Sequence, residues 1–168
     1  MTQPIAGKPI TILMADDDPD DRELTKEAFA ESHVANDLRA YSPPIYVNGA
    51  KNYHPDSQMI AALKHSTAPV TVRVFFGSWC PHCQHSLPQL LRIEDEIKGS
   101  KIKFEYFGLP KTNLANVPEA KKFGVNGVPT GIVFVNGKEA GRLTANAWTS
   151  PETSLATILS GAGVTATR

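Results

Sequence analysis

Both cysteines of this 168-residue chain fall in one pentapeptide, Trp79-Cys80-Pro81-His82-Cys83. Thiols separated by two residues can exchange with a disulfide, hold a metal or close a small structural loop. Exchange suits a pair that opens a helix. Cys80 then sits at the helix N-terminus, where unpaired N–H groups and the macrodipole favour a thiolate. Cys83 lies one turn behind, so one sulfur can attack a substrate disulfide and the other can resolve the mixed disulfide. Haem attachment requires a His directly after the second Cys, where this chain has Gln84. Zinc would need His82 and His85 beside Cys80 and Cys83, and no second C-x-x-C exists to complete such a site. A structural disulfide across so short a loop gains little chain entropy.

The residues around the pair have their own chemistry. A positive or hydrogen-bonding His82 ring at a helix start stabilises the Cys80 thiolate, which makes the disulfide easier to reduce and the protein a better oxidant. His85, one turn on, reads as an exposed helix residue. Trp79 reads as an apolar contact for substrate, and Phe75 and Phe76 as core. The other concentration of chemistry-bearing side chains is "DDDPDD", Asp16 to Asp21. It is either a solvated acidic helix start or a magnesium site built on Asp16 and Asp17.

The elements that must position the cysteines are legible from periodicity. "VTVRVFF" (70–76) reads as a strand, "CPHCQHSLPQLLRIEDEI" (80–97) as a long helix and "KIKFEYF" (101–107) as a second strand. A short helix over 118–123 and the turn "GVNGVPT" follow. Strands "GIVFV" and "AGRLT" are joined by the hairpin dipeptide Asn136-Gly137, and a helix over 151–159 closes the series. Upstream, Asp56 or Ser57 caps a helix carrying Met59, Ile60 and Leu63. Residues 41–57, rich in Pro, Asn, Gly and Ser, read as a linker with one short strand, Ile45 to Val47. Residues 10–15 form an apolar strand and Pro19 opens a helix bearing Leu24, Ala28 and Phe29, a βα unit. The whole order is an N-terminal βα(β) segment followed by (β)αβαβαββα.

Composition sets outer limits. With 41% hydrophobic and 20% charged residues the chain reads as globular, with one main core. Its formal net charge of zero offers no basic surface for nucleic acid or anionic lipid. The apolar runs fall far short of the ~18 to 20 residues that span a bilayer. The N-terminus, a short apolar run met at once by acids, lacks the pattern of a signal peptide, so a cytoplasmic location is expected for the chain as written.

Two resemblances attach to these segments. "TILMADDDPDDRELTKEAF" and "ANDLR", within residues 8–40, resemble the opening of response-regulator receiver domains. That resemblance makes Asp16 and Asp17 a magnesium-binding acidic pair. It then stops, because Asp56 does not end a buried strand and Lys8 precedes the first strand. "VRVFFGSWCPHC", "VPEAKKFGVNGVPTGIVFVNGKEAGRL" and the spacing between them resemble the thioredoxin family over roughly residues 45–160. This implies an α/β thioredoxin fold, a mixed sheet flanked by helices. It makes Cys80 the nucleophile, Cys83 the resolving thiol and Pro129 a cis-proline that contacts substrate together with Val128 and Trp79. A cis X-Pro bond there lets neighbouring backbone pair with an extended substrate.

The family's buried Asp in the strand before the motif and its Lys in the next strand are replaced by Val74 and Tyr106, so proton handling must differ. Glu105 could substitute only with a one-residue shift of register. Pro-His between the cysteines, in place of Gly-Pro, is shared with periplasmic disulfide oxidants. The reading is therefore a receiver-like segment (1–40), a linker (41–57) and a thioredoxin-like domain (58–168). The chain is expected to act as a monomeric thiol–disulfide oxidoreductase on protein or peptide disulfides. It needs no cofactor, exchanges electrons with a partner redox protein, and binds neither nucleic acid nor membrane. Two alternatives stay open. One is a redox-sensing signalling module. The other is an artificial fusion in which the receiver fragment replaces the leader of a natively periplasmic or secreted domain.

Overall fold

The computed structural model describes residues 44–164. The acidic pair Asp16 and Asp17 and the receiver-like segment lie outside them. The elements run α1 (Pro44–Asn52), α2 (Ser57–Lys64), β1 (Val70–Phe76), α3 (Pro81–Glu96), β2 (Ile102–Gly108), a 3-10 turn (Leu114–Asn116) and α4 (Pro118–Lys122). β3 (Thr130–Val135), β4 (Lys138–Leu143), a second 3-10 turn (Ala145–Trp148) and α5 (Pro151–Gly161) complete them. β1 begins and ends where the apolar run predicts, and the other expected elements between residues 57 and 161 are present with small shifts at their ends.

The four strands lie in the order β2-β1-β3-β4. β1 and β2 are parallel, joined through α3, while β1–β3 and β3–β4 are antiparallel. The β3–β4 hairpin turns at Asn136 and Gly137, both at positive φ, as the Asn-Gly dipeptide predicts.

Alternation along β1 sorts its side chains between two clusters. Val70, Val72, Val74 and Phe76 join Leu87, Leu90, Leu91 and Ile93 of α3, Ile60 and Leu63 of α2, and Leu155 and Leu159 of α5 in a large apolar core. Phe75 instead joins Ile132, Ala120, Leu109 and Val125 in a smaller, aromatic-rimmed cluster on the other face.

The strand expected at Ile45–Val47 is instead part of helix α1. The cause is tertiary. Tyr46 is 2% exposed and belongs to the large cluster, so one helical face gains burial that an isolated polar segment would not have. A Cβ on Gly49 would lie 2.7 Å from Pro88 Cβ. The missing side chain is what lets α1 lie against α3. At its far end α1 is tied down through Glu152 of α5, which is 3% exposed. This carboxylate accepts the Tyr53 hydroxyl at 2.7 Å, the Asp56 N–H at 3.2 Å and the Ser150 hydroxyl at 3.0 Å.

Candidate active site

The site assembles where β1 hands over to α3. Cys80 is the N-cap of α3, with extended backbone (φ −93°, ψ 117°), and Pro81 takes a first-turn position, where its missing N–H costs no intrahelical bond. Cys83, one turn in, is 0% exposed, whereas Cys80 is 5% exposed. Both are free thiols. The Gly77 N–H donates to Cys83 Sγ at 3.4 Å, and the Cys80 thiol donates to the Val128 carbonyl at 3.6 Å. The Val128–Pro129 peptide is cis, as expected from the resemblance.

Two indoles brace this arrangement. Trp79 Nε1 donates to the Leu109 carbonyl at 2.9 Å. Its ring lies over Gly77, where a Cβ would approach Trp79 Cε2 to 2.5 Å. Trp148, 7% exposed, donates from Nε1 to the Pro129 carbonyl at 3.1 Å. Thr130 Oγ1 donates to the Gly127 carbonyl at 2.8 Å and ties the same turn together. Trp148 and Gly77 were not singled out from sequence. A lone Trp just after an exposed strand is a signal for Trp148, but its partner, a carbonyl 19 residues upstream, is set only by the fold.

Burial governs the electrostatics. The Cys83 thiol is pushed up to about 12, chiefly by desolvation. The Gly77 N–H pulls it down, and the adjacent Cys80 sulfur raises it further. Tyr46, from α1, is likewise pushed up to about 12 by burial first, and then by the charges of Cys83 and Cys80. It shares the buried cluster with both cysteines. Sequence gave no warning of it, since its segment reads as a linker.

The remaining expected residues fall as follows. His82 is exposed at the start of α3. His85 is also exposed, and its Nε2 lies 3.3 Å from Gln89 Nε2. Val74 is fully buried and pairs in register with Tyr106, whose hydroxyl donates to Glu94 Oε2 at 2.8 Å. The register does not shift. Glu105 pairs with Arg73 and accepts its Nε–H at 2.7 Å, on the sheet face opposite the cysteines, so it cannot take a proton from Cys83. Among the described residues no three His, Cys, Asp or Glu side chains come together as a metal site. Nor is any described helix long and apolar enough to cross a membrane.

A family model described as Thioredoxin matches residues 52–159. Over 81 residues the chain is 33% identical to chloroplastic thioredoxin Y of Oryza sativa subsp. japonica, covering 48% of this chain and 44% of that protein. Over 70 residues it is 34% identical to a thioredoxin of Chlamydia caviae, covering 41% of this chain and 62% of that one. It thus spans less than two thirds of the length of either relative. Among solved structures, a Pseudomonas aeruginosa protein of unknown function matches with a TM-score of 0.50 at 13% identity. That match covers 74% of this chain and 87% of the other, and is a likeness of fold alone.

Proposed function

This chain belongs to the thioredoxin family, and on that premise we propose that it exchanges thiols for disulfides with protein or peptide substrates through Cys80 and Cys83. One observation carries the reading. Two free thiols of unequal burial meet at a helix start, and the outer one lies against the carbonyl that precedes a cis-proline.

Cys80 Sγ, as thiolate, attacks one sulfur of the substrate disulfide. The other substrate sulfur leaves with the bonding electron pair and takes up a proton. Cys83 then loses its proton and attacks Cys80 Sγ. The Cys80–Cys83 bond forms, the mixed disulfide breaks, and the second substrate sulfur departs as a thiolate and is protonated. The substrate gains two electrons and the protein dithiol is oxidised. No cofactor takes part, and a partner redox protein returns or removes the electrons. An extended substrate backbone pairs beside Val128 and Pro129 while Trp79 supplies apolar contact. Exposed at the rim, His82 favours the reduced, thiolate-bearing state.

The test is a pair of serine variants in a disulfide-reduction assay. Cys80→Ser abolishes turnover, and Cys83→Ser accumulates a mixed disulfide with substrate, seen by mass spectrometry. Equal trapping by both variants would overturn the assignment.

A further inference from the structure

Resolution asks Cys83 to become an anion inside an apolar cluster, and the N–H that reaches its sulfur is that of Gly77, at 3.4 Å. Where that N–H points is decided by one peptide plane. The Phe76–Gly77 peptide gives its N–H to Cys83 Sγ and accepts the Leu109 N–H on its carbonyl at 2.7 Å, so the rigid plane is pinned at opposite ends. Leu109 is itself held from its other side. Its carbonyl accepts the Trp79 Nε1–H at 2.9 Å, and the same indole lies over Gly77 so closely that a Cβ there would come within 2.5 Å of Trp79 Cε2. The Gly77 carbonyl accepts the Cys80 N–H at 3.0 Å, which closes this loop onto the start of α3.

Resting on the dithiol reading above, we propose that Trp79, besides meeting substrate, is a positioning residue for the resolving step: its indole fixes Leu109 and the Phe76–Gly77 peptide so that the Gly77 N–H stays aimed at Cys83 Sγ. Each link in that path is a direct contact. Burial is the largest influence on the Cys83 thiol and pushes it up to about 12, while the Gly77 N–H pulls it back down. A hydrogen bond to an ionised sulfur is stronger than one to a neutral sulfur, so a well-aimed N–H favours the anion. Aim matters, because such a bond weakens steeply as it bends. Glycine at position 77 is what admits the ring, since a side chain there would displace the indole. Trp79 exchanges no atoms in the step. Cys83 gives its proton to solvent, its sulfur bonds Cys80 Sγ, and the expelled substrate sulfur carries away the electron pair.

Methyl methanethiosulfonate, added to the full reduced chain in equimolar amount, separates this role from substrate contact, because the methylthio group it leaves on Cys80 is too small to need an apolar platform. Attack by Cys80 forms the mixed disulfide and expels methanesulfinate, and attack by Cys83 then expels methanethiolate. Acid-quenched mass spectrometry follows both. The second step is unimolecular, so its rate is read independently of how fast the adduct forms. In Trp79→Phe it slows about threefold, a tenfold loss of Cys83 thiolate being offset about threefold by the greater nucleophilicity of a more basic sulfur. 3-Benzothienylalanine introduced at position 79 keeps the fused rings but lacks the N–H, and it slows the step equally. Wild-type speed in either protein would overturn the proposal, the second case by showing that ring packing alone suffices. A wild type that never resolves its adduct would instead defeat the dithiol reading itself. If Trp79→Phe does not fold, the benzothienyl chain decides the matter.

Discussion

The two faces of the sheet handle charge in opposite ways. On one, α3 and its neighbours bury both cysteines among Leu, Ile and Val side chains, and Cys83 is held neutral by desolvation. On the other, Arg73 is ringed by three phenylalanines, its Cζ lying 5.0 Å from Phe123, 5.5 Å from Phe134 and 5.7 Å from Phe107. It also donates to Glu105 at 2.7 Å and to Glu119 at 3.1 Å. A permanent charge is tolerated there because ring quadrupoles and two carboxylates replace water, and because the side chain stays 26% exposed. The lesson is a division of labour. The face that keeps charge out holds the two thiols, and the face that accommodates charge holds the Arg73 guanidinium.

The contrast can be broken first at Cys83. Its folded-state pKa is raised above the unfolded value, so its contribution is intact below about pH 9 and is lost as pH climbs toward about 12. Above the unfolded pKa the unfolded chain releases a proton that the folded one retains. The reduced protein therefore loses stability steadily as pH rises through that window. Urea unfolding of reduced wild type against Cys83→Ala at pH 8, 9 and 10 isolates this slope as a difference between the two proteins. Parallel lines would show that the core does not resist the Cys83 charge.

A second probe lies at the rim between the faces, where His82 is exposed at the start of α3. If its ring favours the reduced state by ten- to a hundredfold, His82→Gly makes the potential more negative by about 30 to 60 mV in a two-electron couple. Equilibration in glutathione buffers measures it. An unchanged potential in a folded variant would assign the redox poise wholly to the buried surroundings of the cysteines.

The smallest effect is expected on the opposite face. Arg73→Met keeps the length of the side chain and much of its contact with the rings but removes the charge. It should cost about 1 kcal/mol in urea, because half-exposed ion pairs and cation–π contacts each contribute modestly. A loss above about 3 kcal/mol would mean that Arg73 acts as a buried charge, and the distinction between the faces would fall.

Sequence carried much of this, for physical reasons that differ by region. The run Val70 to Phe76 and the Asn136-Gly137 turn are local signals, and the fold follows them. The pairing of Cys80 with the carbonyl before Pro129 spans 48 residues and was readable through the family resemblance, not through periodicity. Helix α1 was not readable. "PIYVNGAKN" contains β-branched residues, Asn and Gly, all weak helix formers, and only burial of Tyr46 and the seat on Pro88 select the helix. The cage around Arg73 did leave a trace. An arginine alternating with Val72 and Val74 on a buried strand must find a partner on its own face, but the identity of the rings depends on three other elements.

The charged side chains along the two outer strands have a consequence for how copies of this chain meet. β4 opens with Lys138, Glu139 and Ala140 exposed, clips Arg142 to Glu139 at 2.6 Å, and breaks its register at Val133/Phe134. β2 presents Lys103 and Glu105. Charged, irregular borders refuse an incoming strand. With a formal net charge of zero, the molecule has no long-range repulsion to keep its neighbours apart. Among the described residues, protection against edge-to-edge polymerisation therefore rests on these few border side chains.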